Sequence, residues 1–110
     1  MTDRRYVVRP SADRDLDEQA LYYATVGSLE VGHRFLLGAH DTFALLATHP
    51  NMGWPCRLTH PQLKALRMFR VKGFEKMLIL YLPRPDGVDI LRVIHGSRNL
   101  HDLLRREGTE

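Results

Sequence analysis

The 110-residue chain has one cysteine, Cys56, so no intrachain disulfide can brace it and a reducing compartment suits it. No apolar run nears the roughly 20 residues that span a bilayer, and the longest, Met77 to Leu82, has the length of a strand. The chain begins Met-Thr-Asp-Arg-Arg without an apolar segment of signal-peptide length, so a cytoplasmic location is expected. Eight glycines are scattered along it rather than gathered ahead of a helix, which removes the phosphate-cradling loops. Six histidines occur, yet there is no HExxH and no paired-cysteine spacing. His33 and His40 share a helix face but have no third ligand nearby in sequence, so neither a metal nor another cofactor is expected. A GxSxG elbow is also missing, and Cys56 sits beside Pro55 with no activating pattern, which disfavours a nucleophilic hydrolase.

What is present suits a single globular domain over residues 1–110, large enough for one core. Hydrophobic residues make up 44% and charged residues 26%, ordinary values for such a domain. The net charge of +3 is unevenly spread. Residues 1–50 carry five Lys/Arg against seven Asp/Glu, and residues 51–110 carry eleven against six. A basic C-terminal half can meet an acidic protein segment, a nucleic acid or only solvent, so charge narrows the partner class without choosing it.

Arg5 to Arg9 is β-branched and aromatic and predicts a first strand. Pro10 ends it and Ser11 is the expected cap of a helix, with Asp13 and Asp15 in the first turn and Ala12, Leu16, Ala20 and Tyr23 as the apolar stripe. After Gly27, Ser28 caps a second helix whose stripe is Val31, Phe35, Ala39, Phe43 and Leu46, and Pro50 ends it near Thr48. So short a link predicts an antiparallel helix hairpin. Asn51 to Gln62 has the composition of a loop. Strands are predicted over 65–71, 76–82 and 88–95, with turns at Lys72-Gly73 and Pro83–Gly87, followed by a short helix over 98–106. The order is β-α-α-β-β-β plus a short C-terminal helix: an α+β domain with the hairpin packed on an antiparallel sheet.

One chemical constellation stands out. Arg67, Arg70, Tyr81, Arg92 and His95 all lie on the predicted meander. Arginines can neutralise the phosphorane formed when an RNA 2′-hydroxyl attacks its own phosphate, while His and Tyr can move protons. Strand parity tells against a shared surface, because Arg92 and His95 are three apart, as are Arg67 and Arg70 unless a bulge intervenes. Tyr81 could as well pack, His95 hydrogen-bond at a strand end, and the arginines pair with acids.

Several segments together resemble the RelE/ParE toxins of bacterial type II toxin–antitoxin pairs. Ala12 with Asp15-Leu16 is similar to the family's opening pattern. Phe35, Phe43 through Pro50 and Asn51-Met52-Gly53 resemble its "F…LA..P..G" segment. Leu66-Arg67 resembles the start of its "LR…V..F" strand, and Ile79 to Tyr81 its "I.Y" strand. The segment Arg92-Val93-Ile94-His95-Gly96-Ser97-Arg98 resembles its closing "RVLHGxRD", with Asn99 in place of the usual acidic residue; Trp54-Pro55-Cys56 is unlike the common loop. With no tyrosine after Tyr81 and with Gly96 directly after His95, the resemblance is to the ParE branch. It implies a growth-arresting poison of DNA gyrase without intrinsic catalysis, neutralised by a ParD-like ribbon-helix-helix antitoxin. The implied target-binding residues are Arg92, His95, Ser97 and Arg98, with Leu100 as a packing neighbour. Two alternatives remain open at this level: a RelE-like ribosome-dependent mRNA endonuclease using Arg67, Arg70, Tyr81, Arg92 and His95, and a non-toxic antitoxin-binding module.

Overall fold

A computed structural model describes residues 5–56 and 61–96. The chain runs β1 (Arg5–Val8), α1 (Pro10–Val26), α2 (Leu29–Thr48), β2 (Trp54–Pro55), a short 3-10 turn (Pro61–Leu63), β3 (Arg67–Val71), β4 (Phe74–Arg84) and β5 (Gly87–His95). The strands form one sheet in the order β1-β5-β4-β3-β2. β3, β4 and β5 make the expected antiparallel meander. The sheet as a whole is mixed, because β1 lies parallel to β5. That corrects the expectation of an all-antiparallel sheet: the helix hairpin between them lets β1 enter β5's edge in the same direction. The expected C-terminal helix over 98–106 lies outside the described residues.

Both helices bury most of the stripes their spacing predicts, with Ala20, Tyr23 and Val31 only partly covered. Ala12 and Leu16 of α1 and Phe35, Ala39, Phe43 and Leu46 of α2 meet Val71, Met77, Ile79, Tyr81, Val88, Ile90 and Val93 of the sheet. Rings knit this core, with Phe74 edge-on to Phe35 at 5.3 Å and Tyr23 5.0 Å from Phe74. Residues of the opposite parity, Leu80, Leu91 and Ile94, point to the other face, where Leu63 and Leu66 cover them. This second apolar layer explains why β4 reads as almost continuously apolar.

Two local expectations change. Ser11 does not cap α1; the helix begins at Pro10, with extended Arg9 before it and no side-chain cap. Proline suits the first helical position, where its missing N–H is not needed. Ser28 does cap α2, accepting the Val31 N–H at 3.2 Å. β4 also runs longer than predicted, to Arg84, taking in Pro83. β3 has ended at the Arg67–Tyr81 pair, so the missing N–H of Pro83 faces no strand. The turn then shrinks to Pro85-Asp86, and Gly87 at φ +155° enters β5. A Cβ there would collide with the Arg5 carbonyl oxygen, so only glycine admits β1 at this point.

Candidate functional site

Leu91 is an extra residue in β5: Ile90 pairs with Tyr81, and the next pairing joins Arg92 to Leu80. β1 ends its pairing at Ile90, and among the described residues no strand pairs with this edge of β5 beyond it. Asp15 of α1 fills that position. Its Oδ2 accepts from Arg92 Nε at 2.7 Å and from the Val93 backbone N–H at 2.9 Å, while Oδ1 accepts from Arg92 Nη2 at 2.9 Å. The two side chains are only 15% and 12% exposed. A planar guanidinium meeting a carboxylate through two parallel bonds is the strong form of this pair. Arg92, an expected target-binding residue, is therefore also the strut that fixes α1 to β5.

Tyr81 and Arg67 face each other across β4 and β3. The buried Tyr81 hydroxyl donates to the Pro50 carbonyl at 2.8 Å and accepts from the Gly53 N–H at 2.9 Å. Arg67 donates to the carbonyls of Gly53 at 2.9 Å and Asn51 at 3.1 Å. The two side chains thus clamp the loop between α2 and β2. Gly53 is required there, because a Cβ would come within 2.6 Å of the Met68 carbonyl oxygen. Burial pushes the Tyr81 phenol up, against the opposing pull of the Gly53 hydrogen bond and the Arg67 charge, so it stays protonated at neutral pH. Burial likewise raises the Cys56 thiol, partly offset by Arg67.

Arg70 lies on Leu78's register position, the face opposite to that of Tyr81, and its guanidinium stacks over Trp54 at 5.4 Å. His95 ends β5 opposite Met77. The five meander residues therefore do not share one surface: Arg67 and Tyr81 form one pair, and Arg70, Arg92 and His95 lie apart from it. Ser97, Arg98 and Leu100 lie outside the described residues. Sequence reasoning missed a second ion cluster, in which Arg9 and Arg84 both reach Asp89 Oδ2 at 2.8 Å. A groove of about 670 Å³ beside it is lined by Arg9, Lys64 and Arg84 over Leu63, Leu82 and Leu91. Two of its three cations are thus held by Asp89. Among the described residues no group of His, Cys, Asp or Glu is arranged to hold a metal, and no helix is long and apolar enough to cross a membrane.

A helix hairpin on a mixed five-stranded sheet, tied at the β5 edge by Asp15 and Arg92, defines a small α+β domain. The model of the ParE toxin family of type II toxin–antitoxin systems, parDE, matches residues 6–100, and the chain belongs to that family. Among solved structures it is similar to a chain of the chromosomal ParDE toxin–antitoxin system from P. aeruginosa, with a TM-score of 0.67 and 16% identity over 86% of this chain and 96% of that one. At that identity the likeness is one of fold. Comparison with curated proteins finds no match.

Proposed function

We propose that this ParE-family protein arrests growth by inhibiting DNA gyrase without catalysis of its own, and that a cognate ParD-like antitoxin with a ribbon-helix-helix half holds it inactive in the cytoplasm. The observation that carries the non-catalytic reading is the employment of the meander's polar groups. Tyr81 and Arg67 hold the loop at Pro50–Gly53, and Arg92 holds Asp15. A metal-free ribonuclease needs such groups presented together to substrate. The effector surface in this reading is the end of β5 and the chain after it: His95, Ser97 and Arg98, with Leu100 packing beside them and Arg92 setting the direction of the strand.

The helix hairpin supports the antitoxin half of the proposal. Leu21, Tyr22, Val26 and Leu29 are more than half exposed, Leu29 by 83%, around the α1–α2 turn. Apolar side chains so grouped are a surface for a partner. Expression of the chain alone is expected to stop growth, and co-expression with the small protein encoded beside it to restore growth. Purified toxin added to a supercoiling assay is expected to block gyrase while leaving an mRNA on translating ribosomes intact. Mapped mRNA cleavage with normal supercoiling would overturn the gyrase reading. Antitoxin binding without any effect on growth, gyrase or translation would reduce the chain to a binding module.

A further inference from the structure

The face of the sheet turned away from the helices changes character along its length. Towards β1 it carries the paired charges of Arg9, Arg84 and Asp89. Towards the β3–β4 hairpin it carries cations beside an aromatic ring. Met68 and Arg70 stand opposite Leu80 and Leu78 of this face's apolar layer, and Trp54 stands opposite Met68. Lys76 comes two residues before Leu78 on β4 and so points the same way. Lys72 lies at the tip of the hairpin between the two strands. Arg70, Lys72 and Lys76 are all exposed, and none is ion-paired with a described carboxylate.

Carboxylates are kept off this corner. Glu75, next to Lys76, points to the helix side, where it lines a groove with Asp41. Among the described residues of β3, β4 and β5, the only carboxylate on the open face is Asp89, opposite Leu82. Leu82 is about 20 Å along β4 from Lys76, and Asp89 is already shared by two arginines. Trp54, the sole tryptophan, is 38% exposed. The Phe69 ring lies 6.1 Å from it, and the Arg70 guanidinium sits over it at 5.4 Å. A large ring is thus held in place at the surface, among cations that no acid of the chain neutralises.

We infer that this corner binds a single-stranded stretch of DNA, with Arg70, Lys72 and Lys76 meeting its phosphates and a base stacking on Trp54. Cations that follow the backbone, joined to a fixed aromatic ring, are the parts from which sequence-tolerant single-strand binding is made, because every base has a face to stack. An acidic protein segment would use the cations and leave the ring idle. It also finds little backbone to pair with here: β2 and its Pro55 cover β3 at Arg67 and Met68, and the Lys72 N–H is taken by the Thr42 hydroxyl at 3.0 Å. The strand is held and not cut. Tyr81 and His95, the groups that could move protons, stand at register positions of the helix-side face, and the Tyr81 hydroxyl is engaged with Pro50 and Gly53. The choice of DNA over RNA rests on the gyrase reading above, since an inhibitor of gyrase works beside that enzyme's DNA; the surface itself does not rest on it.

Trp54 is its own reporter. Full-length toxin titrated at low salt with a thymidine deoxyoligonucleotide of about 12 nucleotides is expected to lose indole emission in a saturable way, while a duplex of the same length leaves the emission unchanged. Three phosphate contacts should make log affinity fall against log salt with a slope of about −2, and Lys76→Gln should make that slope shallower by about 0.7. Arg70→Glu, at an exposed position, is expected to weaken binding by about tenfold or more with an unchanged melting temperature. Trp54→Ala, followed by the anisotropy of a labelled oligonucleotide, should weaken it by about tenfold; because Trp54 also pairs in β2, Arg70→Glu decides the matter where Trp54→Ala lowers the melting temperature. No saturable quenching at low salt overturns the inference, and gyrase inhibition by the same preparation then leaves the gyrase reading intact. DNA binding without gyrase inhibition removes that reading and upholds the surface. Tighter binding of RNA than of DNA overturns DNA as the occupant. Equal quenching by a glutamate-rich peptide assigns the corner to an acidic protein segment and overturns the nucleic acid. An affinity untouched by Arg70→Glu places the binding elsewhere on the chain and overturns the assignment.

Discussion

Asp15 and Arg92 stand 77 residues apart in sequence and are joined by two parallel hydrogen bonds, with the Val93 N–H making a third on the same carboxylate. The pair connects the segment that opens the family's pattern to the segment that closes it. Without it, β5 beyond the end of β1 would leave a backbone donor unpaired, and α1 would lose its polar anchor on the sheet.

Asp15→Ala is accordingly expected to cost about 3 kcal/mol in urea unfolding, since it removes both carboxylate bonds of a largely buried guanidinium and the acceptor of the Val93 N–H together. Arg92→Met should cost less, because it leaves the carboxylate the Val93 N–H and room for water. A double-mutant cycle should return a coupling energy well above that of an exposed ion pair, whose usual value is below about 1 kcal/mol. A coupling near zero would remove the strut from this account.

Tyr81→Phe keeps the ring in the core and removes one oxygen. The Gly53 N–H then loses its acceptor in a buried position and the Pro50 carbonyl loses its donor. A loss of about 1–3 kcal/mol is expected, with NMR shift changes centred on residues 50–53. Gyrase inhibition should survive in the folded fraction, because the hydroxyl acts on the loop and not on a target. Loss of inhibition with the loop and stability unchanged would give Tyr81 a direct part instead.

Asp89 makes a pH prediction. Burial pushes its carboxyl up, but the hydrogen bonds from Arg9 and Arg84 and their charges outweigh that and hold it below its ordinary value of 3.8. A folded-state value below the unfolded one adds stability that is fully present above the ordinary carboxylate range and is lost as pH falls through the folded value. The stability difference between the native chain and Asp89→Asn should therefore be constant near neutral pH and shrink below about pH 4. Both arginines are nearly half exposed, so salt should reduce the difference as well. A difference that persists undiminished at pH 2 would exclude this origin.

Much of the architecture was legible in the chain because it depends on local spacing. Apolar residues three and four apart in 10–26 and 29–48 gave both helices and their buried faces, Ser28 marked the start of α2, and Lys72-Gly73 marked a turn. The helix start at Pro10 was missed because a proline that ends a strand is equally suited to begin a helix. β2 was missed because two residues carry no periodicity, and its strand character exists only against Met68 and Arg67.

The candidate site was legible in residue type but not in role. Arg67, Arg70, Tyr81, Arg92 and His95 are present on the meander as the sequence indicates, yet their partners come from 14 to 77 residues away where hydrogen bonds join them. The one-residue insertion at Leu91 resets which positions of β4 and β5 face each other, and no composition signal announces it. By itself, then, the sequence determined the class of fold, the two apolar helix faces and the membership pattern, since all three reside in short-range order. The parallel entry of β1, the Asp15–Arg92 strut and the tyrosine-held loop were decided only in three dimensions. Each depends on where backbone donors and acceptors are left over after distant strands have paired.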